Sequence, residues 1–246
     1  MLTAIFTVAA REIIDAWRDR RAMLSAALYC LMGPAVVGMV SLGVGDSPAV
    51  LIAMTSVFTL VSAFVGGMNV AMEAIAGERE RRSLLPLLMH PVTRLDLLLG
   101  KWLAVACFSV AGLALNIAGF GLIFHRVPPP ALALCLIPLS LFAAALELWV
   151  STFCRGIKEV HTYLSMLIFL PMGLGMFMVF SPVADRGWWK WMPVAGQQLQ
   201  LEAGLRGGEL HLLAILFLGF ATALLAGIAL LAAADRLERD DVVYGG

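Results

Sequence analysis

Six long apolar runs account for most of the chain. Each is close to the ~20 residues that a helix needs to cross a hydrocarbon core about 30 Å thick. The runs are Ala22–Leu42, Ala49–Ala71, Trp102–Phe124, Ala131–Phe153, Val160–Phe180 and Leu212–Ala233. Turn-forming clusters such as Pro128-Pro129-Pro130 separate several of them. The pattern predicts an all-α membrane protein with six transmembrane helices.

The first 21 residues have a different pattern, that of a one-sided helix. At about 100° per residue, one arc of the helix is mainly apolar and the charged residues lie mostly opposite it. The apolar arc contains Leu2, Ile5, Phe6, Ala9, Ile13, Ala16 and Trp17, while Val8 and Ile14 fall outside the pattern. A helix of this kind with a boundary tryptophan is typical of the membrane interface. We therefore expect residues 1–21 to form an amphipathic interfacial helix.

Composition places the chain among polytopic membrane proteins and weakens other assignments. Hydrophobic residues make up 61% of the sequence and charged residues only 14%, against about a quarter charged in soluble domains. The net charge of zero gives no field that would attract nucleic acid. All four cysteines fall in or beside apolar runs, as buried small hydrophobes do, so no metal site is expected.

The stretch Glu73–Lys101 is the longest strongly polar interruption of the apolar pattern. It has a charged run after Gly77, which we interpret as a helix end, then a leucine-rich turn broken by prolines. Thr93, with Asp96 three residues later, predicts a helix start. If both termini are cytoplasmic, 13 of the 17 lysines and arginines lie on that side of the membrane. The stretch would then be cytoplasmic, as would the tail, residues 234–246.

The longest loop on the other side runs from Ser181 to His211. Trp188, Trp189 and Trp191 cluster near its start, and the polar run Gln197–Gln200 follows. Tryptophans there are typical of an interfacial aromatic belt. A re-entrant or surface-lying helix would also explain them, and irregular backbone at that depth must be shielded by protein.

The charged stretch resembles the membrane subunits of ABC-2-type transporters. That family carries a charged run after the second span, a leucine-rich turn with proline, and a helix that enters the third span through Gly-Lys. The matching residues here are Glu73, Gly77, Glu78, Arg79, Glu80, Arg81, Leu84, Leu85, Pro91, Gly100 and Lys101. Arg11–Leu28 also looks like the opening of the sodium-extrusion (NatB-like) branch. Two departures are the Arg82-Ser83-Leu84-Leu85 run, where relatives often have Gly-Thr-Leu-Glu, and the short Gly43–Pro48 connection in place of a large external domain.

The resemblance implies one transmembrane domain over residues 1–246, with a six-span bundle at 22–233 and a coupling elbow at 73–101. Such a subunit carries no ATPase motif and no cofactor of its own. Two copies of a separate ABC ATP-binding subunit would bind ATP and Mg, and a second permease subunit, identical or related, would complete the exporter in the bacterial cytoplasmic membrane. The coupling residues implied are Glu73, Gly77, Glu78, Arg79, Glu80, Arg81, Arg82, Leu84 and Leu85.

Polar and flexible side chains inside the spans are candidates for the substrate pathway. They are Asn69, Asn116, Glu147, Met172 and Met176. Placing an ionised Glu147 inside a span costs at least about 2.5–3.5 kcal/mol unless the carboxylate is paired or hydrated. We therefore expect Glu147 either to line a cytoplasmic vestibule or to pair with Arg155 or Lys101. Asparagines in spans more often bond neighbouring helices, and methionines form an adaptable apolar wall.

Two other functions are compatible with parts of the pattern. An ATP-independent secondary transporter or channel would usually show more intramembrane charge than the single Glu147. An intramembrane protease would use the E-x-x-x-R spacing of Glu78 and Arg82, but its histidines would lie deep in the spans. Here His90, His125, His161 and His211 all lie near predicted span ends. The chain also lacks a GxxxxGK[ST] phosphate loop.

Overall fold

The computed structural model describes residues 2–43, 48–82, 93–125, 127–180 and 187–238, and the regular elements within these ranges are all helical. The helices are α1 (Leu2–Arg18), α2 (Arg20–Gly43), α3 (Pro48–Met72), α4 (Arg94–Phe124), α5 (Ala133–Ser151), α6 (Ile157–Phe180), α7 (Ala195–Leu205) and α8 (Leu212–Glu238). Short 3₁₀ turns, Pro130–Leu132 and Trp189–Trp191, precede α5 and α7. Six helices are long and apolar enough to cross a membrane, as the pattern predicts.

The helix limits around the charged stretch differ from the prediction. The second candidate span continues to Glu80 and the third begins at Arg94, so most of the predicted elbow 73–101 belongs to these two helices. Thr93 is the N-cap of α4, as predicted, and its side chain accepts a hydrogen bond from the Asp96 amide at 3.1 Å.

The helix does not end at Gly77, which corrects our interpretation of that residue. A π-helical turn, Glu73–Gly77, follows α3 directly, and one further α-helical turn, Glu78–Glu80, follows it. Gly77 keeps right-handed helical angles, with φ −64° and ψ −42°. Four residues of the π-turn, from Ala74 to Gly77, are buried, so tertiary packing holds the helix through its glycine. π-Turns inside helices occur frequently at functional sites.

Helix α3 occupies the centre of the bundle and contacts α2, α4, α5 and α6. Helices α3 and α4 pack closely at Gly66 and Gly112. A Cβ on Gly66 would lie only 2.8 Å from the Phe108 carbonyl oxygen of α4, so a larger residue would not fit there. On the far side, α5 packs along α8. Two apolar clusters fill these interfaces, one around Leu148 and one around Leu139. The outer helices α2 and α6 are the least buried of the six candidate spans.

Helix α1 packs against the start of α4, and this contact divides the predicted apolar arc. Ala9 is buried, but Phe6 and Trp17 are 61% and 69% exposed. Val8, which the arc left out, packs on Gly100, where a Cβ would lie 2.7 Å from the Val8 side chain. One apolar strip therefore contacts the bundle, and a second, with Phe6 and Trp17, faces outward.

The loop between the last two spans contains α7, and the helix is buried rather than surface-lying. Gln197, Gln198 and Gln200 are all less than 5% exposed. The Gln198 amide nitrogen donates to the Gly175 carbonyl of α6 and to Glu202. The polar run thus packs between spans, which agrees with the shielded alternative for this loop.

Candidate functional site

Three consecutive residues, Glu78, Arg79 and Glu80, connect the end of the second span to four other helices. We call this segment the junction. Each side chain bonds a different part of the chain, and all the partners lie at one end of the bundle. A movement of the junction would therefore be transmitted to α1, α4, α5 and α6 through short polar contacts.

The first contact is a buried charge triad centred on Lys101. The Lys101 Nζ lies 2.7 Å from Glu78 Oε1 and 2.7 Å from Glu12 Oε1. Its side chain is only 2% exposed, whereas the two carboxylates are about one-fifth exposed. Because a lone buried ammonium is costly, the two carboxylates offset the cost of burying Lys101. The triad joins α1 and α4 to the junction.

The second contact is made by Arg79 with the end of α5. Its guanidinium donates to the carbonyl oxygens of Cys154, at 2.7 Å, and Thr152, at 3.2 Å. These carbonyls follow the last turn of α5, where a helix leaves acceptors without helical partners. Beside them, burial raises the pKa of the Cys154 thiol to about 11, with Glu159 adding to the effect, so the thiol stays protonated.

The third contact is made by Glu80 with the start of α6. Its Oε2 accepts a hydrogen bond from the Ile157 amide at 2.7 Å, so it caps that helix from outside. A carboxylate at a helix N-terminus also interacts favourably with the helix dipole. Arg81 and Arg82, which follow, are exposed, and Arg81 pairs with Glu73 at 2.6 Å across the π-turn.

The predicted coupling residues differ in their surroundings. Glu78, Arg79 and Glu80 bond to other helices or to their ends, whereas Arg81 and Arg82 are exposed and Arg81 pairs with Glu73. Gly77 is buried in the π-turn that leads to them. Leu84 and Leu85 lie outside the described residues. Sequence reasoning did not identify Glu12 or the role of Lys101. The available signal was a lysine one residue before a long apolar run, together with Glu12 on the predicted amphipathic helix.

A largely apolar cavity of about 400 Å³ lies between α2, α3 and α6. Its walls bring together four of the five predicted pathway residues, Asn69, Asn116, Met172 and Met176. Sequence reasoning did not predict its other polar lining residues, which include His161 and Ser165. They are on α6, where they lie four residues apart and therefore share one helix face.

The two asparagines of the cavity bond neighbouring helices and also face the space. Asn69 Nδ2 donates to the Ala22 carbonyl and the Ser25 hydroxyl of α2, at 3.0 and 3.1 Å. Asn116 Nδ2 donates to the Cys30 carbonyl at 2.8 Å. Asn116 Oδ1 is buried and has no hydrogen-bond partner among the described residues.

Glu147 does not line this cavity. It is buried in α5, and its Oε2 has no hydrogen-bond partner in the described part of the chain. The sequence suggested Arg155 or Lys101 as a partner for Glu147. Lys101 pairs with Glu12 and Glu78 and not with Glu147.

No group of three or more histidine, cysteine, aspartate or glutamate side chains able to hold a metal occurs within the described ranges. His161 lies near the start of α6, His125 follows the end of α4, and His90 lies outside those ranges. Glu78, the carboxylate of the protease alternative, is engaged with Lys101.

Comparison with known proteins agrees with this architecture. The family described as ABC-2 type transporter matches residues 3–195. The ABC transporter permease protein NatB of Bacillus subtilis (strain 168) is 33% identical over 158 residues, which cover 58% of this chain and 41% of NatB. The probable ABC transporter permease protein NosY of Pseudomonas aeruginosa is 33% identical over 109 residues, which cover 42% of this chain and 38% of NosY. The matches thus span less than half of each curated relative. Since the family match covers most of the sequence, the chain belongs to the ABC-2 type transporter family, as a multi-pass membrane domain of that family.

Proposed function

We propose that the chain is the permease subunit of an ABC exporter. It moves substrate across the bacterial cytoplasmic membrane by alternating access, driven by ATP hydrolysis in a separate subunit. The observation that carries this proposal is the junction, where the family places its coupling segment: its three side chains bond α4, the end of α5 and the start of α6, and Lys101 extends the contact to α1.

The bonding pattern supports a division of labour within the coupling residues. Exposed Arg81 and Arg82, together with Leu84 and Leu85, are suited to contact the ATP-binding subunit. Glu78, Arg79 and Glu80 are suited to pass its movement on. Charge-assisted bonds of 2.7 Å resist displacement more than neutral contacts do, so the helices would move with the junction.

The basic residues support an orientation with the junction, both termini and α1 on the cytoplasmic side, because 13 of the 17 then lie inside. Exposed Phe6 and Trp17 support a position of α1 in the membrane interface. ATP and Mg would bind to two copies of the partner ATPase. A second permease subunit would pair through α2 and α6, the least buried spans, on either side of the apolar cavity.

The apolar cavity is the proposed substrate pathway. Asn69, Asn116, Met172 and Met176 supply a wall that is mostly apolar with a few polar groups, as is usual for small-molecule sites. Glu147 is buried outside this wall, so a contribution from it would act through helix packing.

Cross-linking tests the proposal. The chain is co-expressed with an ABC ATP-binding protein encoded beside it, and Arg82→Cys is treated with a short bifunctional maleimide. We expect a covalent adduct with the ATP-binding protein that changes when ATP and vanadate are added. Arg206→Cys, just after α7, is the matched control and should give none. An adduct from Arg206→Cys alone would contradict the orientation, and the absence of any complex would point to a transporter that works without ATP.

A further inference from the structure

A second cavity, of about 310 Å³, lies where α1, α2 and α3 meet beside the junction. Its wall carries charges of both signs, Arg11 and Arg81 on one hand and Glu12, Asp15, Asp19, Glu73 and Glu78 on the other. The rest is apolar and includes Met23, Ala26 and Phe108. We call it the charged cavity.

Asn69 lines both the charged cavity and the apolar cavity. Its side chain lies at the boundary between them and bonds to Ala22 and Ser25 at the start of α2. The two cavities therefore adjoin at Asn69, with the charged one beside the junction and the apolar one beyond it. The two hydrogen bonds hold α2 against α3 at the boundary.

The charges of the wall define what it can recognise. Arg11 pairs with Asp15 at 3.7 Å and Arg81 with Glu73 at 2.6 Å, both on exposed side chains that water can separate at little cost. A ligand with a cationic and an anionic group can replace these partners pairwise. A purely anionic head would meet more carboxylates than guanidinium groups, and a purely cationic head would take Asp15 and Glu73 from their arginine partners without replacing these carboxylates.

We propose that the two cavities bind one amphipathic molecule with a zwitterionic head, of the lysophospholipid class. The head occupies the charged cavity and the chain lies along Met172 and Met176 in the apolar one. The cavities, of about 310 and 400 Å³, together fall within the usual range of ligand sites. This inference rests on the proposed function, because it names the substrate class of the same pathway.

The placement also connects ligand binding with the junction. Glu12 and Glu78 face the charged cavity and hold Lys101 at the same time. An ammonium group in the cavity competes with Lys101 for these carboxylates. A ligand bound in the charged cavity would thus weaken the ion pairs of the triad that joins α1 and α4 to the junction.

Native mass spectrometry of the full chain, released from maltoside micelles, tests the inference. Palmitoyl lysophosphatidylethanolamine is the zwitterionic probe. Palmitoyl lysophosphatidylglycerol is the anionic probe and hexadecyltrimethylammonium the cationic one. We expect one saturable adduct with the zwitterion, and about tenfold weaker binding of each of the other two.

Three tryptophan substitutions locate the adduct. Ala26→Trp fills the charged cavity and Val61→Trp fills the apolar one, so each should weaken zwitterion binding about tenfold. Leu24→Trp is the matched control: Leu24 is 65% exposed on the same helix as Ala26, and binding should not change. Exposed Asp15→Lys, a substitution that the fold tolerates easily, should shift the preference toward the anionic probe.

Equal binding of all three probes would overturn the zwitterionic class, and unchanged binding in Ala26→Trp and Val61→Trp would overturn the placement. The assay uses no ATP-binding subunit. A chain that binds the zwitterion but forms no complex therefore contradicts only the proposed function, and a chain that forms the complex but binds no zwitterion contradicts only this inference.

Discussion

Lys101 Nζ donates to Glu78 Oε1 at 2.7 Å, although 23 positions separate the two residues in the sequence. The bond joins the two ends of the charged stretch, because Glu78 lies in the last helical turn of the second span and Lys101 lies in the first turns of α4. The adjacent Glu12 adds α1 to the same contact. We therefore regard the triad as the anchor of the coupling segment.

Replacing Lys101 with methionine should destabilise the protein strongly, because Glu12 and Glu78 would be left close together without their cation. We expect a loss of about 3 kcal/mol in the free energy of unfolding, since the two carboxylates are only partly exposed. Thermal unfolding of the purified chain in maltoside micelles measures it. Lys158→Met, at an exposed position near the same end of the bundle, is the control and should change stability by less than about 0.5 kcal/mol. Similar losses in both variants would contradict the anchor role.

Removing the carboxylate of Glu80 should loosen the start of α6. In Glu80→Ala the Ile157 amide loses its acceptor, and we expect a local cost of about 1 kcal/mol. Glu80→Gln keeps an oxygen acceptor but not the charge, so its effect should be smaller. Hydrogen exchange followed by mass spectrometry should show faster exchange around Ile157, with no change in α8. Uniform acceleration would instead indicate global destabilisation.

A cysteine at Arg82 should react with a membrane-impermeant maleimide only from the cytoplasmic side. The exposed Cys107 is first replaced by serine, and the remaining native thiols should give little background, since Cys30, Cys135 and Cys154 are buried. The pKa of Cys154, raised to about 11, leaves almost no thiolate at neutral pH, and its reactivity should increase only as the pH approaches that value. Labelling of Arg82→Cys in intact cells would contradict the orientation.

Trp17 should lie at the depth of the lipid headgroups if α1 is interfacial. In a variant that keeps Trp17 as its only tryptophan, a quencher near the headgroup should reduce fluorescence more than one at the chain end. A matched variant that keeps only Trp102 is the comparison, because Trp102 lies near the start of α4. If neither quencher reduces the fluorescence of Trp17, α1 lies in water and not in the interface.

The number of spans and the start of α4 could be predicted from the sequence, because both depend on local signals. Apolar run length decides a span, and Thr93 with Asp96 decides the helix start. The course of residues 73–80 could not be predicted. Gly77 has low intrinsic helix propensity, yet burial of Ala74–Gly77 holds the chain helical. Tertiary packing overrode the local preference.

The candidate site was partly predictable for a similar reason. Polar residues within apolar runs, such as Asn69 and Asn116, stand out, and both line the cavity. Glu12 does not stand out, because a charged residue on an amphipathic helix normally faces water. Only the crossing of α1 over α4 brings it to Lys101. The same crossing explains why Val8 seemed to interrupt the apolar arc.

The π-turn at Glu73–Gly77 has a geometric consequence for the whole subunit. Since successive residues of a helix are rotated by about 100°, an extra residue in one turn changes the phase of everything that follows. That offset lets Glu78, Arg79 and Glu80 point toward three separate partners instead of into lipid. Deleting one residue from Glu73–Gly77 would rotate all three away together, so the subunit should tolerate substitutions in this turn far better than any change in its length.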